Sequence, residues 1–225
     1  MTLPGCSSLR VQDTHRLIPS KHSGDGVLRR IADGDAHLDD LFDLDGATND
    51  RLRGQMDRLP GIGRDERVAG VPSASIINAL FCHAAPEGGR FNGPDRGAWY
   101  AGFELETSQA EIVSHKTRHY LEIGWEKEDI VSYDDYWANF DATFHDIRGD
   151  EAFAVCLAPD SYFASQGLVM ELLATGSLGI VYPSVRAPEG TCLACFRPAL
   201  VGNARQSKTW SFVWQGSAVP PIWRG

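Results

Sequence analysis

One long extended segment limits what this chain can fold into more than any other feature. The stretch "IVSYDDYWANFDATFHDI" places Tyr136, Phe140 and Phe144 on one parity, the alternation typical of a strand. A helix follows in "SYFASQGLVMELLATG", which Gly176 ends, and then come three strand candidates, "SLGIVYPSV", "TCLACFRPAL" and "WSFVWQG". The chain has no internal repeat and no clear linker, so the pattern predicts one mixed α/β domain over residues 1–225.

The N-terminal half predicts a strand, an acidic insert and then a strand followed by a helix. "HRLIPSKH" has the short apolar pattern of a first strand and contains Arg16. Residues of about 33–60 are acidic, with leucines and Phe42 at helical intervals, which indicates a helical insert with a solvated face. "IINALFCH" is apolar without a periodicity that separates helix from strand. "GAWYAGFEL" then predicts a strand and "TSQAEIVSHKTRHYLEIG" a helix, in which Ser108 and Glu111 have the spacing of a capping box.

Charge and hydropathy limit the partners that the chain can have. A net charge of −9 repels a nucleic-acid backbone, and no basic stripe offsets it, so we expect no direct nucleic-acid contact. The first twenty residues lack the apolar core of a signal peptide, and no later run reaches membrane-spanning length. We therefore expect a cytoplasmic protein that makes no membrane contact. The five cysteines are scattered and odd in number, which indicates reduced thiols.

Two sequence patterns each contain some of the ligands of a metal site, and neither contains a full set. The CxxC in "TCLACF" has no second pair of ligands, and the alternation from Cys192 to Phe196 predicts a buried strand face instead. Glu111, His115 and His119 follow one another at intervals of four, which predicts one shared helix face. That segment is not the HExxH of a zinc hydrolase. We therefore predict no metal.

The stretch "GGRFNGPDRGAWYAGFELETSQAEIVSH" holds Arg90, Tyr100 and Glu111 at ten- and eleven-residue intervals. Each has an ordinary role open to it: a surface charge, a core aromatic and a helix cap. No GxGxxG follows a strand and no P-loop sequence occurs, so both of those nucleotide sites are excluded. A Ser-His-Asp hydrolase stays open as an alternative, because such a triad cannot be recognised from spacing.

Together with the later "GIVYPSVR", this stretch resembles the RES domain family, which is named for an arginine, a glutamate and a serine. The matching positions are Arg90, Glu111 and Ser184, and Tyr100 matches the tyrosine that members carry between the first two. The opening "HRLIP" resembles the family's first strand, so Arg16 matches a further arginine. The similarity runs from about residue 15 to past residue 200.

The resemblance implies a toxin of a bacterial toxin–antitoxin pair that acts on NAD. It implies the fold of the diphtheria-toxin-like ADP-ribosyltransferases, a single mixed α/β (α+β) domain with a central split, mainly antiparallel β-sheet flanked by helices. The chain length and the acidic insert resemble the subgroup that transfers ADP-ribose to a cytosolic protein. NAD hydrolysis or phosphorolysis, known from compact members, stays open, as does an inactive NAD-binding module. The family also implies a hetero-oligomer with a cognate helix-turn-helix antitoxin that covers the active site.

The implied chemistry gives each matched residue a role. Cleavage between nicotinamide and ribose passes through an oxocarbenium-like transition state, and the Glu111 carboxylate is expected to stabilise its positive charge. Tyr100 is expected to hold the nicotinamide ring, and Arg16 and Arg90 the pyrophosphate. The expected catalytic residues are Glu111, Tyr100 and Arg90. The expected NAD-binding residues are Arg16, Arg90, Asn92, Tyr100, Ser184 and Arg186.

Overall fold

The computed structural model of the chain describes residues 3–23 and 62–225. The strands are β1 (Cys6–Pro19), β2 (Trp99–Gly102), β3 (Asp129–Asp146), β4 (Gly179–Pro183), β5 (Thr191–Cys195), β6 (Gly202–Trp214) and β7 (Ile222–Arg224). The helices are α1 (Ser20–Ser23), α2 (Ala74–Cys82), α3 (Leu105–Glu122) and α4 (Phe163–Ala174). Three short 3₁₀ helices lie at Arg64–Glu66, Glu151–Leu157 and Pro198–Leu200. The predicted insert at about 33–60 lies outside the described residues.

The seven strands form one mainly antiparallel sheet in the order β1-β2-β5-β4-β3-β6-β7, with a further pairing between β1 and β3. The one parallel pairing among these strands joins β3 to β4. β1 pairs extensively with β3, but it meets β2 at a single residue pair, His15 with Gly102. β3 meets β4 at only two pairs, so the part β2-β5-β4 is attached to the part β1-β3-β6-β7 by narrow contacts. These observations confirm the predicted mixed α/β fold with a split sheet.

The residue parity predicted for the strands is the parity of the core. Tyr136, Phe140 and Phe144 of β3 are almost fully buried in one cluster. The alternating residues from Cys192 to Phe196 are buried in a second cluster, on the other face of β5 from Leu193. A residue pair three apart on a strand faces opposite sides, so the two cysteines of the CxxC cannot chelate one ion together.

The structure defines two helices that the sequence described only in part. "IINALFCH", undecided from its pattern, is helix α2, with Ile76, Ile77 and Phe81 buried. Helix α4 ends as predicted near Gly176, which has a φ of +78°. The amide of Ser177 donates to the carbonyl of Leu172, the bond that closes such a left-handed helix end.

The predicted capping box at Ser108 and Glu111 is wrong. Helix α3 already begins at Leu105, and its N-cap is the extended Glu104. Ser108 is buried in the first turn, where its hydroxyl accepts from the amide of Gly102 at 3.1 Å and donates to the carbonyl of His15 at 2.7 Å. The serine thus fixes α3 to β1 and β2. The Glu111 carboxylate is not used as a cap and is available to other elements.

Candidate active site

A cavity of about 500 Å³ opens between the start of α3, the ends of β1 and β2, and the loop before β2. This volume lies within the range of about 300–1,000 Å³ found for small-molecule sites. Four of the predicted residues line it: Arg16, Arg90, Tyr100 and Glu111. The other three, Asn92, Ser184 and Arg186, do not line it. Asn92 and Ser184 make hydrogen bonds to the lining residues Tyr100 and Glu111, and Arg186 makes one to the carbonyl of Pro159.

Glu111 projects from α3 towards the turn between β4 and β5. The hydroxyl of Ser184 donates to Glu111 Oε1 at 2.9 Å. The same hydroxyl accepts from the amides of Arg186 and Ala187, at 3.1 and 3.0 Å. Because these two amides orient the Ser184 hydroxyl, its proton is directed at the carboxylate. One carboxylate oxygen is therefore fixed, while the side chain keeps 28% of its surface exposed.

The hydroxyl of Tyr100 makes hydrogen bonds to the loop that carries Arg90. It accepts from the amide of Phe91 and donates to Asn92 Oδ1, both at 2.8 Å. Burial, the larger influence, raises the pKa of Tyr100 and keeps its hydroxyl protonated. Asn92, a predicted NAD-binding residue, thus helps to attach the loop to Tyr100. The Tyr100 hydroxyl has both of its hydrogen bonds with residues of this loop.

The loop before Arg90 leaves no room for side chains at Gly88 and Gly89. Gly88 has a φ of +72°, and a Cβ at Gly89 would stand 2.5 Å from Asn92 Oδ1 and 2.8 Å from the Tyr100 hydroxyl. From α4, Gln166 Nε2 donates to the carbonyls of Glu87 and Gly89 at 2.8 and 3.1 Å. Glycine at these positions therefore lets the loop pack directly on Tyr100.

Arg90 is buried and joins this loop to the chain just before α4. Its Nη1 donates to the carbonyls of Cys156 and Ala158 at 3.0 and 2.8 Å. Its guanidinium also lies over the ring of Tyr162, 4.9 Å from the ring centre. These contacts fix the charge of Arg90 in the wall of the cavity.

Arg16 brings a second cation from β1. Its Nη1 donates to the carbonyl of Tyr100 at 3.0 Å, and its guanidinium lies over the ring of Trp99. Burial lowers the pKa of Arg16 to about 10, so it stays charged at neutral pH. Its Nε is buried and has no hydrogen-bond partner within residues 3–23 and 62–225. A donor of this kind suits an anionic ligand.

Two further arginines hold the segment that borders the cavity mouth. Arg186 Nη2 donates to the carbonyl of Pro159 at 2.6 Å. Arg118, which lines the cavity, donates to the same carbonyl at 3.2 Å and to Asp160 Oδ1 at 2.8 Å. The Asp160 side chain is 82% exposed, so this ion pair is a weak one.

Several residues that line the cavity were not among the predicted NAD-site residues: Ser108, His115, Arg118, Tyr162, Tyr182 and Cys192. Arg118 had a detectable signal, because a residue seven positions after Glu111 completes almost two helical turns. His119, eight positions after Glu111, was predicted to share its face and does not line the cavity. Tyr162 and Tyr182 had no such signal, because their positions depend on how separate elements pack.

Two properties of the described part of the chain bear on function. Within it, no group of three or more His, Cys, Asp or Glu side chains is arranged to hold a metal ion. No helix found there has both the length and the apolarity needed to cross a membrane.

Comparison with known proteins identifies one family. The sequence model of the RES domain matches residues 66–215. No curated protein matches the sequence significantly. Among solved structures, the M. tuberculosis MbcT–MbcA toxin–antitoxin complex is similar with a TM-score of 0.48 and 13% identity. That match covers 91% of this chain and 85% of the other, and so distant a likeness says nothing about function.

Proposed function

The chain belongs to the RES domain family, and from this premise we propose that it is an NAD-consuming enzyme, the toxin of a bacterial toxin–antitoxin pair. It cleaves NAD between nicotinamide and ribose and transfers ADP-ribose to a cytosolic protein. The observation that carries the proposal is the common cavity: the Glu111 carboxylate faces a pocket that Arg16, Arg90 and Tyr100 also line.

The roles follow from charge development during the reaction. As neutral nicotinamide leaves, positive charge grows on the ribose, and a carboxylate at that position stabilises the transition state. The bond from Ser184 keeps Glu111 Oε1 in place, so little reorganisation is needed at the moment of cleavage. Ser184 is therefore proposed to position Glu111, and the residues that line the cavity are proposed to contact NAD directly.

The arginines supply what a dinucleotide needs on an acidic protein. The pyrophosphate carries two negative charges, whereas the chain as a whole has a net charge of −9. Arg16 and Arg90 concentrate positive charge in one wall, and the buried Nε of Arg16 offers an unused donor. Guanidinium groups bind phosphate oxygens in pairs, which also sets the orientation of the ligand. Asn92 and Arg186 are assigned to holding the surrounding loops.

A toxin needs a partner that restrains it in its own cell. We assign this role to a cognate helix-turn-helix antitoxin that covers the cavity mouth, as the family resemblance implies, and we place the pair in the cytoplasm.

The test compares the unmodified protein with Glu111→Gln and with the matched control Glu122→Gln, an exposed glutamate at the end of the same helix. Each is incubated with NAD, inorganic phosphate and a cytosolic lysate, and mass spectrometry follows nicotinamide release, free ADP-ribose, its 1-phosphate and labelled protein. We expect ADP-ribose on a discrete protein with the unmodified and control forms, and none with Glu111→Gln, whose circular dichroism spectrum stays unchanged.

The other outcomes separate the alternatives. NAD loss without a labelled protein identifies a glycohydrolase, or a phosphorylase if the product is the 1-phosphate. NAD binding without any NAD loss identifies an inactive binding module, and the enzymatic proposal is then wrong.

A further inference from the structure

One cavity residue, His115, has no role in the proposed mechanism. It lies one helical turn after Glu111, and its Nε2 is 4.0 Å from Glu111 Oε2. Its side chain is 54% exposed, so it stands at the mouth of the cavity and not at its base. A hydrogen bond spans about 2.8 Å, so one oxygen atom can lie within reach of both groups. The space between Glu111 and His115 therefore fits an incoming nucleophile.

The surroundings of His115, its partial burial first among them, favour its neutral form. Glu111 and Arg118 face it from its own helix, Arg186 from the turn after β4, and Arg90 from the loop before β2. Partial burial of the ring, the largest influence, lowers the His115 pKa below its ordinary 6.5; the Glu111 carboxylate acts against this, and the three arginines add to it. At neutral pH the ring is thus uncharged and has a nitrogen that accepts a proton.

We propose that His115 is the general base that activates the acceptor, and that the acceptor is an O–H nucleophile; this rests on the proposed function above. The acceptor oxygen forms a bond to ribose C1′ while its proton passes to His115. The bond between C1′ and the pyridinium nitrogen breaks, and its electron pair returns to nicotinamide, which leaves as a neutral molecule. His115 then releases the proton to solvent, so the step needs no oxidant and no further reactant.

The position of His115 limits the class of acceptor. A side chain of a folded protein reaches only the outer part of a cavity, and an exposed base at the mouth meets it there. A hydroxyl group must lose a proton as it attacks, so it gains from a base, whereas a phosphate dianion attacks without losing one. We assign the acceptor to a serine, threonine or tyrosine hydroxyl, or water, and analysis of the products distinguishes these from one another and from a nitrogen or sulfur acceptor.

The chain provides a matched control in His119. It lies on the same helix, one turn beyond His115, is exposed, and does not line the cavity. Replacing either histidine by glutamine removes the base and keeps a side chain of similar polarity. Because both sites are on the helix surface, neither change is expected to prevent folding.

The experiment measures NAD turnover and protein labelling for the unmodified chain, His115→Gln and His119→Gln from pH 5 to pH 9, with NAD affinity from calorimetry. His115→Gln should lower kcat by about 10²-fold or more, the usual contribution of a general base. Its NAD affinity should be unchanged, and its kcat should lose the decline towards acid pH that protonation of His115 causes in the unmodified chain. His119→Gln should behave as the unmodified chain does, and added imidazole should restore part of the activity of His115→Ala.

Contrary outcomes can be separated from failure of the proposed function. If the unmodified chain consumes no NAD, the enzymatic proposal itself is wrong. If it consumes NAD while His115→Gln keeps its kcat and its acid limb, only the assignment of His115 is wrong. Products that do not form on a hydroxyl oxygen, such as ADP-ribose 1-phosphate or labelled lysine, also contradict the O–H acceptor.

Discussion

The change Tyr100→Phe separates a structural role of this tyrosine from a catalytic one. The structure commits its hydroxyl to two protein partners, the amide of Phe91 and Oδ1 of Asn92, each at 2.8 Å. Both partner residues are buried, with Phe91 fully inaccessible and Asn92 only 7% exposed. The phenylalanine ring fills the same space but leaves one donor and one acceptor without a partner. The loss should therefore appear first as reduced stability.

The size of the effect follows from these contacts. Two hydrogen bonds at about 1 kcal/mol each, with the added cost of leaving buried polar groups unpaired, give a loss of about 2–4 kcal/mol. For a chain of this length, that corresponds to a fall in melting temperature of about 4–16 °C. Urea unfolding monitored by circular dichroism measures the free energy directly. NAD turnover should fall as well, because the loop that carries Arg90 loses its attachment.

Tyr162→Phe is the matched control. Its ring also lines the cavity, beneath Arg90, but its hydroxyl makes no hydrogen bond to another residue of the described segments. We expect its stability to change by less than about 0.5 kcal/mol. If Tyr100→Phe is as stable as this control and nevertheless inactive, the hydroxyl acts on the substrate and the structural argument is refuted.

Two further predictions concern the surroundings of the site. Gly89→Ala places a Cβ 2.5 Å from Asn92 Oδ1 and should raise the KM for NAD, because the loop is displaced. Steady-state kinetics measures this change, with Gly93→Ala as the control because its Cβ meets open space. The Arg96 guanidinium, assisted by Arg197, lowers the pKa of Glu66 from 4.5 to about 2. A lowered folded-state pKa means that Glu66 stabilises the fold above about pH 4.5 and loses this contribution as the pH falls towards 2. In Glu66→Gln the free energy of unfolding should therefore fall less steeply as the pH drops from 4.5 to about 2 than it does in the unmodified chain. An equally steep fall in both proteins would contradict the ion pair.

Strand parity and helix periodicity were recognisable in the sequence because they depend on neighbours two to four residues apart. The parity of Tyr136, Phe140 and Phe144 identified the buried face of β3 correctly. The capping box at Ser108 failed for a tertiary reason. That serine bonds to β1 and β2, and the helix begins earlier, at Leu105.

The sequence proposed residues for the candidate site but not their contacts. Of the positions that the resemblance selected, Arg16, Arg90, Tyr100 and Glu111 line one cavity, whereas Ser184 does not. The partners of these side chains come from distant parts of the chain. Ser184 is 73 positions from Glu111, and Cys156 is 66 positions from Arg90. No local pattern encodes such a pairing.

The sequence by itself determined the family, the buried parity of β3 and β5, and the residue types available for chemistry. Only the tertiary structure decided which atoms meet: that the Tyr100 hydroxyl holds a loop, that Ser184 orients Glu111, and that His115 lies at the cavity mouth while His119 does not. The physical reason is range. Periodicity and turn chemistry act over a few residues, whereas a hydrogen bond within about 3 Å depends on how whole elements pack.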